Sequence, residues 1–181
     1  MHACADHIKD MCPPIFPEEL GVAFTRPEFV PRLYAAIPAC YRALAMYGNN
    51  LVIDDVIRPL QSRIYAEQLK EFNPIFVGVI CENEALDRRE YARGDRRSGS
   101  AIRQAEIVSL LNIFDVVVDT TNHSPDQCAN QILAKFASKV TYKALEKIVS
   151  IDPNTYISRT DDIDRSVFHA YTSSQDCKVP K

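Results

Sequence analysis

Three short runs break the polar background of this chain: Leu51-Val52-Ile53-Asp54, Ile75-Phe76-Val77-Gly78-Val79-Ile80 and Val116-Val117-Val118-Asp119. Each is continuously apolar rather than alternating, the pattern of strands buried on both faces of a parallel sheet. Between them the apolar period lengthens to that of a helix. Phe29, Leu33, Ala36, Ile37, Cys40, Leu44 and Tyr47 recur on one face across 28–47, with Pro31 and Pro38 predicting an irregular start and a kink, and Gly48-Asn49-Asn50 an end. Leu60, Ile64, Tyr65 and Leu69 share a face of a second helix over 60–72, which Asn73-Pro74 stops. Ser124-Pro125-Asp126-Gln127 supplies an N-cap Ser, Pro at the first helical position and Gln at the capping-box position, ahead of Ile132, Leu133 and Phe136. Val140, Ala144, Leu145 and Ile148 allow one more amphipathic helix. After Ile151 the pattern turns polar and irregular, and roughly the last thirty residues are expected to form a mobile tail.

Alternating strands and helices predict an α/β fold with a parallel sheet covered by helices on both faces. Strands are expected over 3–6, 51–54, 75–80 and 116–119, with Asp6, Asp54 and Asp119 at one edge, since all three carboxylates end apolar runs. The chain has 181 residues, 46% of them hydrophobic and 25% charged, enough for one domain with a buried core. Its 21 Lys and Arg against 24 Asp and Glu give a net charge of -3, which removes the overall basic field that nonspecific nucleic-acid or membrane binding needs. No apolar run approaches the roughly 20 residues of a membrane span, and Met1-His2-Ala3-Cys4 lacks the start of a signal peptide, so the chain reads as cytoplasmic. The six cysteines are scattered without a CxxC pair, and most of them read as small buried hydrophobes. His2, Cys4, His7 and Cys12 are zinc-ligand types, but their spacing matches no closed four-ligand pattern.

Candidate chemistry starts with Leu51-Val52-Ile53-Asp54-Asp55. It puts carboxylates at the carboxyl end of a buried strand, where open α/β sheets bind ligands. Such an Asp can order Mg²⁺ near phosphates, as in a Walker B element, and can equally cap a helix or form a turn. Between Arg88 and Arg97 there are five arginines, and Gly94 and Gly99 interrupt the segment, which reads as too flexible for a plain amphipathic helix. Guanidinium forks match phosphate oxygens, and a glycine-hinged lid would bring them in around a nucleotide. A solvated basic face or an RNA-contacting patch is the other reading. Gly94 and Gly99 have the spacing of the phosphate-cradling GxxxxGK[ST] loop, but Ser100-Ala101 stand where Lys and Ser/Thr are needed, and the sequence contains no such loop.

Taken together, these elements resemble the chloramphenicol phosphotransferase family of P-loop kinases. The resemblance rests on Ile53-Asp54-Asp55-Val56, on Val77-Gly78-Val79 followed by Cys81, and on Arg89-Glu90-x-Ala92-Arg93-Gly94-Asp95-Arg96 with Gly99 and Gln104-Ala105. Val118-Asp119-Thr120-Thr121 with Ser124 and Cys128-Ala129 completes it, and Ala5-Asp6-His7-Ile8 looks like the family segment in which an aspartate ends a strand and opens a helix. It spans about Asp6 to Ile132 and implies an ATP-dependent phosphotransferase acting on a small-molecule hydroxyl, with ATP and Mg²⁺ as cofactors. Asp6 would take the proton from the acceptor hydroxyl, although an N-cap is the other role of such a residue. Arg93 and Arg96 would contact the nucleotide phosphates from the lid near Asp6, with Arg89 facing the same way. Asp54 would lie near Mg²⁺, and Thr120 and Thr121 at the base-binding edge, or as loop caps.

The resemblance also implies a sheet of order 2-3-1-4-5, whose central first strand, GxxxxGKS loop and first helix all precede the position of Asp6. Only five residues precede Asp6 here. The expectation is therefore a P-loop kinase-like domain over residues 1–138 without its central strand, shortened or a remnant, followed by a C-terminal helix and tail over 139–181. A noncatalytic module that binds an acidic partner or RNA through its arginines is the competing reading.

Overall fold

The computed structural model describes residues 1–9, 30–94, 98–138, 141–157 and 160–176. In chain order these form β1 (His2–Cys4), α1 (Ala5–Lys9), α2 (Val30–Met46), β2 (Val52–Asp54), α3 (Pro59–Leu69), a 3-10 turn (Lys70–Phe72) and β3 (Val77–Ile80). There follow α4 (Asn83–Arg93), α5 (Ser100–Ser109), β4 (Val116–Asp119), α6 (Pro125–Ala137), α7 (Ala144–Ser150), α8 (Asn154–Ile157) and α9 (Asp162–Asp176).

The fold is α/β, and every strand pairing among the described residues is parallel. β1 pairs with β2, in the register His2↔Val52 to Cys4↔Asp54, and β3 with β4, from Val77↔Val116 to Ile80↔Asp119. Among the described residues the strands form two separate pairs, β1–β2 and β3–β4, and each strand is hydrogen-bonded to one neighbour. That is the arrangement left when the middle strand is removed from a 2-3-1-4-5 sheet. Three strands are shorter than expected, β2 only by Leu51. β1 stops at Cys4 and Asp6 lies in the first turn of α1, where a carboxylate suits the positive end of a helix. β3 starts at Val77 because the Asp115 carboxylate takes the Phe76 amide at 2.9 Å, while its other oxygen accepts from the Lys143 and Ala144 amides at the start of α7.

Burial concentrates around β1 and β2. Ile37 and Tyr41 of α2, Tyr65, Ala66 and Leu69 of α3, and Leu145 and Ile148 of α7 form one core with Ala3. All four residues placed on the apolar face of α3 are buried, and the helix starts and ends near its predicted bounds. The capping box at Ser124 is present, with Ser124 accepting from the Gln127 amide and Gln127 from the Ser124 amide. Gly78 faces the Phe114 ring so closely that an added Cβ would stand 2.8 Å from it, so a side chain there would displace the ring.

Two expectations need correction. Within the segment after Ile151, expected to be an irregular polar tail, residues Asp162–Asp176 form α9, which packs against α2 and α3 with Val167 and Tyr171 buried beside Ile64. Its apolar residues are few but fall on one face, and that stripe suffices to dock it. The arginine-rich segment is likewise helical through Arg93, where Gly94, at φ +66, ends α4 in the left-handed conformation.

Candidate active site

At the carboxyl end of the β1–β2 pair, register brings two acidic segments together. Cys4 is opposite Asp54, and Asp6 follows within two residues of Cys4. Both Asp6 and Asp54 are exposed. The neighbouring Asp55 is engaged: the Tyr65 hydroxyl of α3 donates to it, and its other oxygen accepts from the Val56 amide at 3.0 Å. Behind it, the Tyr41 hydroxyl is buried with no hydrogen-bond partner among the described residues, and burial together with the Asp55 charge pushes both Tyr41 and Tyr65 above the usual phenol range. Asp55 thus serves the fold, whereas Asp54 presents its carboxylate to solvent.

The carboxyl end of the β3–β4 pair is laced by side chains. Arg89 of α4 donates to the Cys81 sulfur at 3.3 Å, to Thr120 Oγ1 at 3.2 Å and to the Thr120 carbonyl at 2.6 Å. Thr120 Oγ1 also donates to the Ile80 carbonyl at 3.0 Å, and Thr121 Oγ1 accepts from the Glu82 amide at 2.9 Å. Thr121 holds the Asp119 carboxyl below its usual range through side-chain and backbone hydrogen bonds. Arg89, Thr120 and Thr121 therefore meet in one place, as cross-links between the strand ends.

Arg93 lies on the exposed last turn of α4, one turn from Arg89. Arg96 falls outside the described residues. Asp6 and Asp54 sit at the carboxyl end of the β1–β2 pair and Arg89 and Arg93 on α4, which follows β3, so these residues divide between the two halves.

Two contributors were not singled out. Glu90 is buried, and its two oxygens accept from the Gly99 and Ala101 amides at 2.6 and 2.9 Å, pinning the start of α5 to α4. Its signal was its place inside the arginine motif, masked by the charges around it. Tyr65 occupies the predicted apolar face of α3, while its hydroxyl reaches Asp55. A hollow of about 370 Å³ lined by Asp87, Glu90, Tyr91, Gly94 and Ser98 lies along the α4–α5 hairpin.

For a divalent cation the donor chemistry fits in part. Asp54 offers hard carboxylate oxygen of the kind Mg²⁺ takes, but the described residues hold no group of three or more metal-ligating side chains, so phosphate oxygens and water would have to complete the shell. No helix is long and apolar enough to cross a membrane among the described residues.

Residues 1–137 match the family model described as chloramphenicol phosphotransferase-like protein. Two Mycobacterium tuberculosis proteins are similar to this chain: "Putative O-phosphotransferase MT2714" of strain CDC 1551 and "Putative O-phosphotransferase Rv2636" of strain H37Rv. Each is 29% identical over 139 residues, covering 64% of this chain and 62% of the relative's own length.

Proposed function

This chain belongs to the chloramphenicol phosphotransferase-like family, and from that premise we propose that it carries the acceptor and lid parts of an ATP-dependent kinase that phosphorylates a small-molecule hydroxyl. The observation that carries the reading is the register Cys4↔Asp54, which sets the Asp6 and Asp54 segments side by side at the carboxyl end of two parallel strands. Asp6, exposed on a short helix, takes the proton from the acceptor hydroxyl as the phosphoryl group arrives. Asp54 holds Mg²⁺, which when bound neutralises charge between the phosphates. Arg93 and Arg96 meet the phosphates, Arg89 supports them from Thr120, and Thr120 and Thr121 shape the edge of the nucleotide base site.

In this reading the 181-residue chain does not turn over ATP by itself. Its sequence has no GxxxxGK[ST] loop, whose backbone amides and Lys cradle the phosphates. Losing a single oxyanion-type donor costs about 3 kcal/mol in other enzymes, so the loss of a whole cradle takes transfer below useful rates. In the 2-3-1-4-5 order that the resemblance implies, a further parallel strand would stand between β2 and β3, which are not paired with each other among the described residues. ATP titration of the purified chain, alone and with a family strand, GxxxxGKS loop and helix placed ahead of Met1, tests this. The expected outcome is weak or no ATP binding alone, and binding with Asp6-dependent phosphorylation in the extended protein. Phosphorylation by the unextended chain, abolished by Asp6→Ala, would reveal a substitute phosphate site. If the extended protein binds no ATP while the chain retains an acidic protein or RNA, the noncatalytic reading replaces this one.

A further inference from the structure

The first turn of α3 has an unusual means of satisfying its amides. Arg58, the residue before the helix, is extended and provides no carboxylate or hydroxyl cap, and Pro59 has no N–H. The next two amides, of Leu60 and Gln61, both donate to Asp164 of α9, at 2.9 and 3.0 Å, from more than a hundred residues away in sequence. Asp164 is fully buried. Arg58 adds a second tie, its Nε donating to Asp161 Oδ2 at 3.2 Å, while Asp161 Oδ1 accepts from the Asp164 amide at 2.8 Å.

Just past this turn, α3 carries Tyr65, whose hydroxyl donates to Asp55. The loop between β2 and α3 is therefore fastened at both ends: at Asp55 by Tyr65, and at Arg58, Leu60 and Gln61 by the segment leading into α9 and α9 itself. Asp54 is the last residue of β2, directly before this loop. α9 also reaches α3 through Tyr171, which donates to Glu67 Oε2 at 2.8 Å and accepts from Gln68 Nε2 at 3.3 Å.

We propose that Asp164 is a positioning residue for the carboxylate end of β2: α9, acting through the first turn of α3 and Tyr65, fixes the loop that carries Asp55 and so the setting of Asp54. The inference rests on the reading of Asp54 as part of the site. It gives the C-terminal helix, which lies beyond the family-matched residues 1–137, a role in the site itself.

Burial raises the Asp164 carboxyl to about 6, against the pull of the Leu60 and Gln61 amides; Asp161 opposes its ionisation and Arg58 favours it. From α2, Tyr34 and Ala35 face the apolar cluster around Val167. Within α9, Arg165 is engaged by Asp162 and by the Ile157 and Thr160 carbonyls. Protonation of Asp164 thus falls in an accessible range and changes the acceptor that two amides share, which makes it a handle on the coupling.

The test is NMR of the full chain from about pH 7.5 to 4.5. The expected result is that the Leu60 and Gln61 amides shift with a midpoint near 6, and that the Val56 and Ile57 amides and the Tyr65 ring follow with the same midpoint. Asp164→Asn should abolish that midpoint at every position. Tyr65→Phe should keep it at Leu60 and Gln61 and reduce it at Val56. Titration confined to Leu60 and Gln61 would make Asp164 a local cap and overturn the proposal, as would a midpoint that persists in Asp164→Asn. Should Asp164→Asn fail to fold, the wild type and Tyr65→Phe decide by themselves. The experiment reads loop position and not ATP, so a chain that fails as a kinase fragment still gives a clear answer here.

Discussion

The half of the molecule built on β1 and β2 and the half built on β3 and β4 use the same materials, a parallel strand pair with amphipathic helices, and bury very different amounts. In the first, α2, α3, α7 and α9 close over Ile37, Tyr41, Leu60, Ile64, Tyr65, Leu69, Ile148 and Val167. In the second, α5 buries no residue fully and α6 only Cys128, while Val79, Leu133 and Phe136 stay 61%, 60% and 63% exposed. Local patterning is equally good in both: α6 has a complete capping box and α5 a clear apolar stripe. What differs is the layer on top. The first half is roofed by α9, and the second has no comparable helix among the described residues, so its apolar stripes lack a facing surface.

The sharpest way to break this contrast is to shorten one side chain in each half. Ile148→Ala, in the dense core, should lose about 3 kcal/mol in urea unfolding, whereas Leu133→Ala should lose under about 0.5 kcal/mol. Equal losses would mean that the second half is as well packed as the first. A smaller effect comes from the price of the roof. Because the Asp164 carboxyl is raised to about 6 in the folded state, the fold binds a proton there before the unfolded chain does. Its contribution is present in full below the unfolded value near 4, and is lost as pH rises through 6. Wild type should therefore gain on the order of 2 kcal/mol relative to Asp164→Asn as pH falls from about 6 to 4, read from denaturation at each pH. Smallest of all, Leu133→Lys should leave unfolding within about 0.5 kcal/mol of wild type and lower self-association in sedimentation, since it removes apolar surface that no described residue covers.

The sequence made the strands legible because a run such as Val116-Val117-Val118 is a local signal, and it made α3, α6 and α7 legible because cap and stripe lie within one segment. α9 was hidden for a physical reason. Its stripe is thin, and its anchoring carboxylate looks like any surface Asp until α3 is beside it. The arginine segment was legible only in part: its first half is helical through Arg93, and Glu90, hidden among the charges, takes the Gly99 and Ala101 amides at the start of α5. At the candidate site, the strand-end positions of Asp54 and Asp119 followed from the apolar runs, and Asp6 lies two residues past its strand. The meeting of Arg89 with Thr120, and of Tyr65 with Asp55, joins elements that only the folded chain brings together.

The cap on α3 also sets a timetable. Leu60 and its acceptor Asp164 are 104 residues apart. At synthesis rates of about 5–20 residues per second, the first turn of α3 leaves the ribosome some 5 to 20 seconds before the carboxylate that completes it exists. Through that interval β1, α1, α2 and β2 are already made, while the carboxylate that accepts from the Leu60 and Gln61 amides is not. The loop beside Asp54 therefore reaches its final setting late, when α9 arrives.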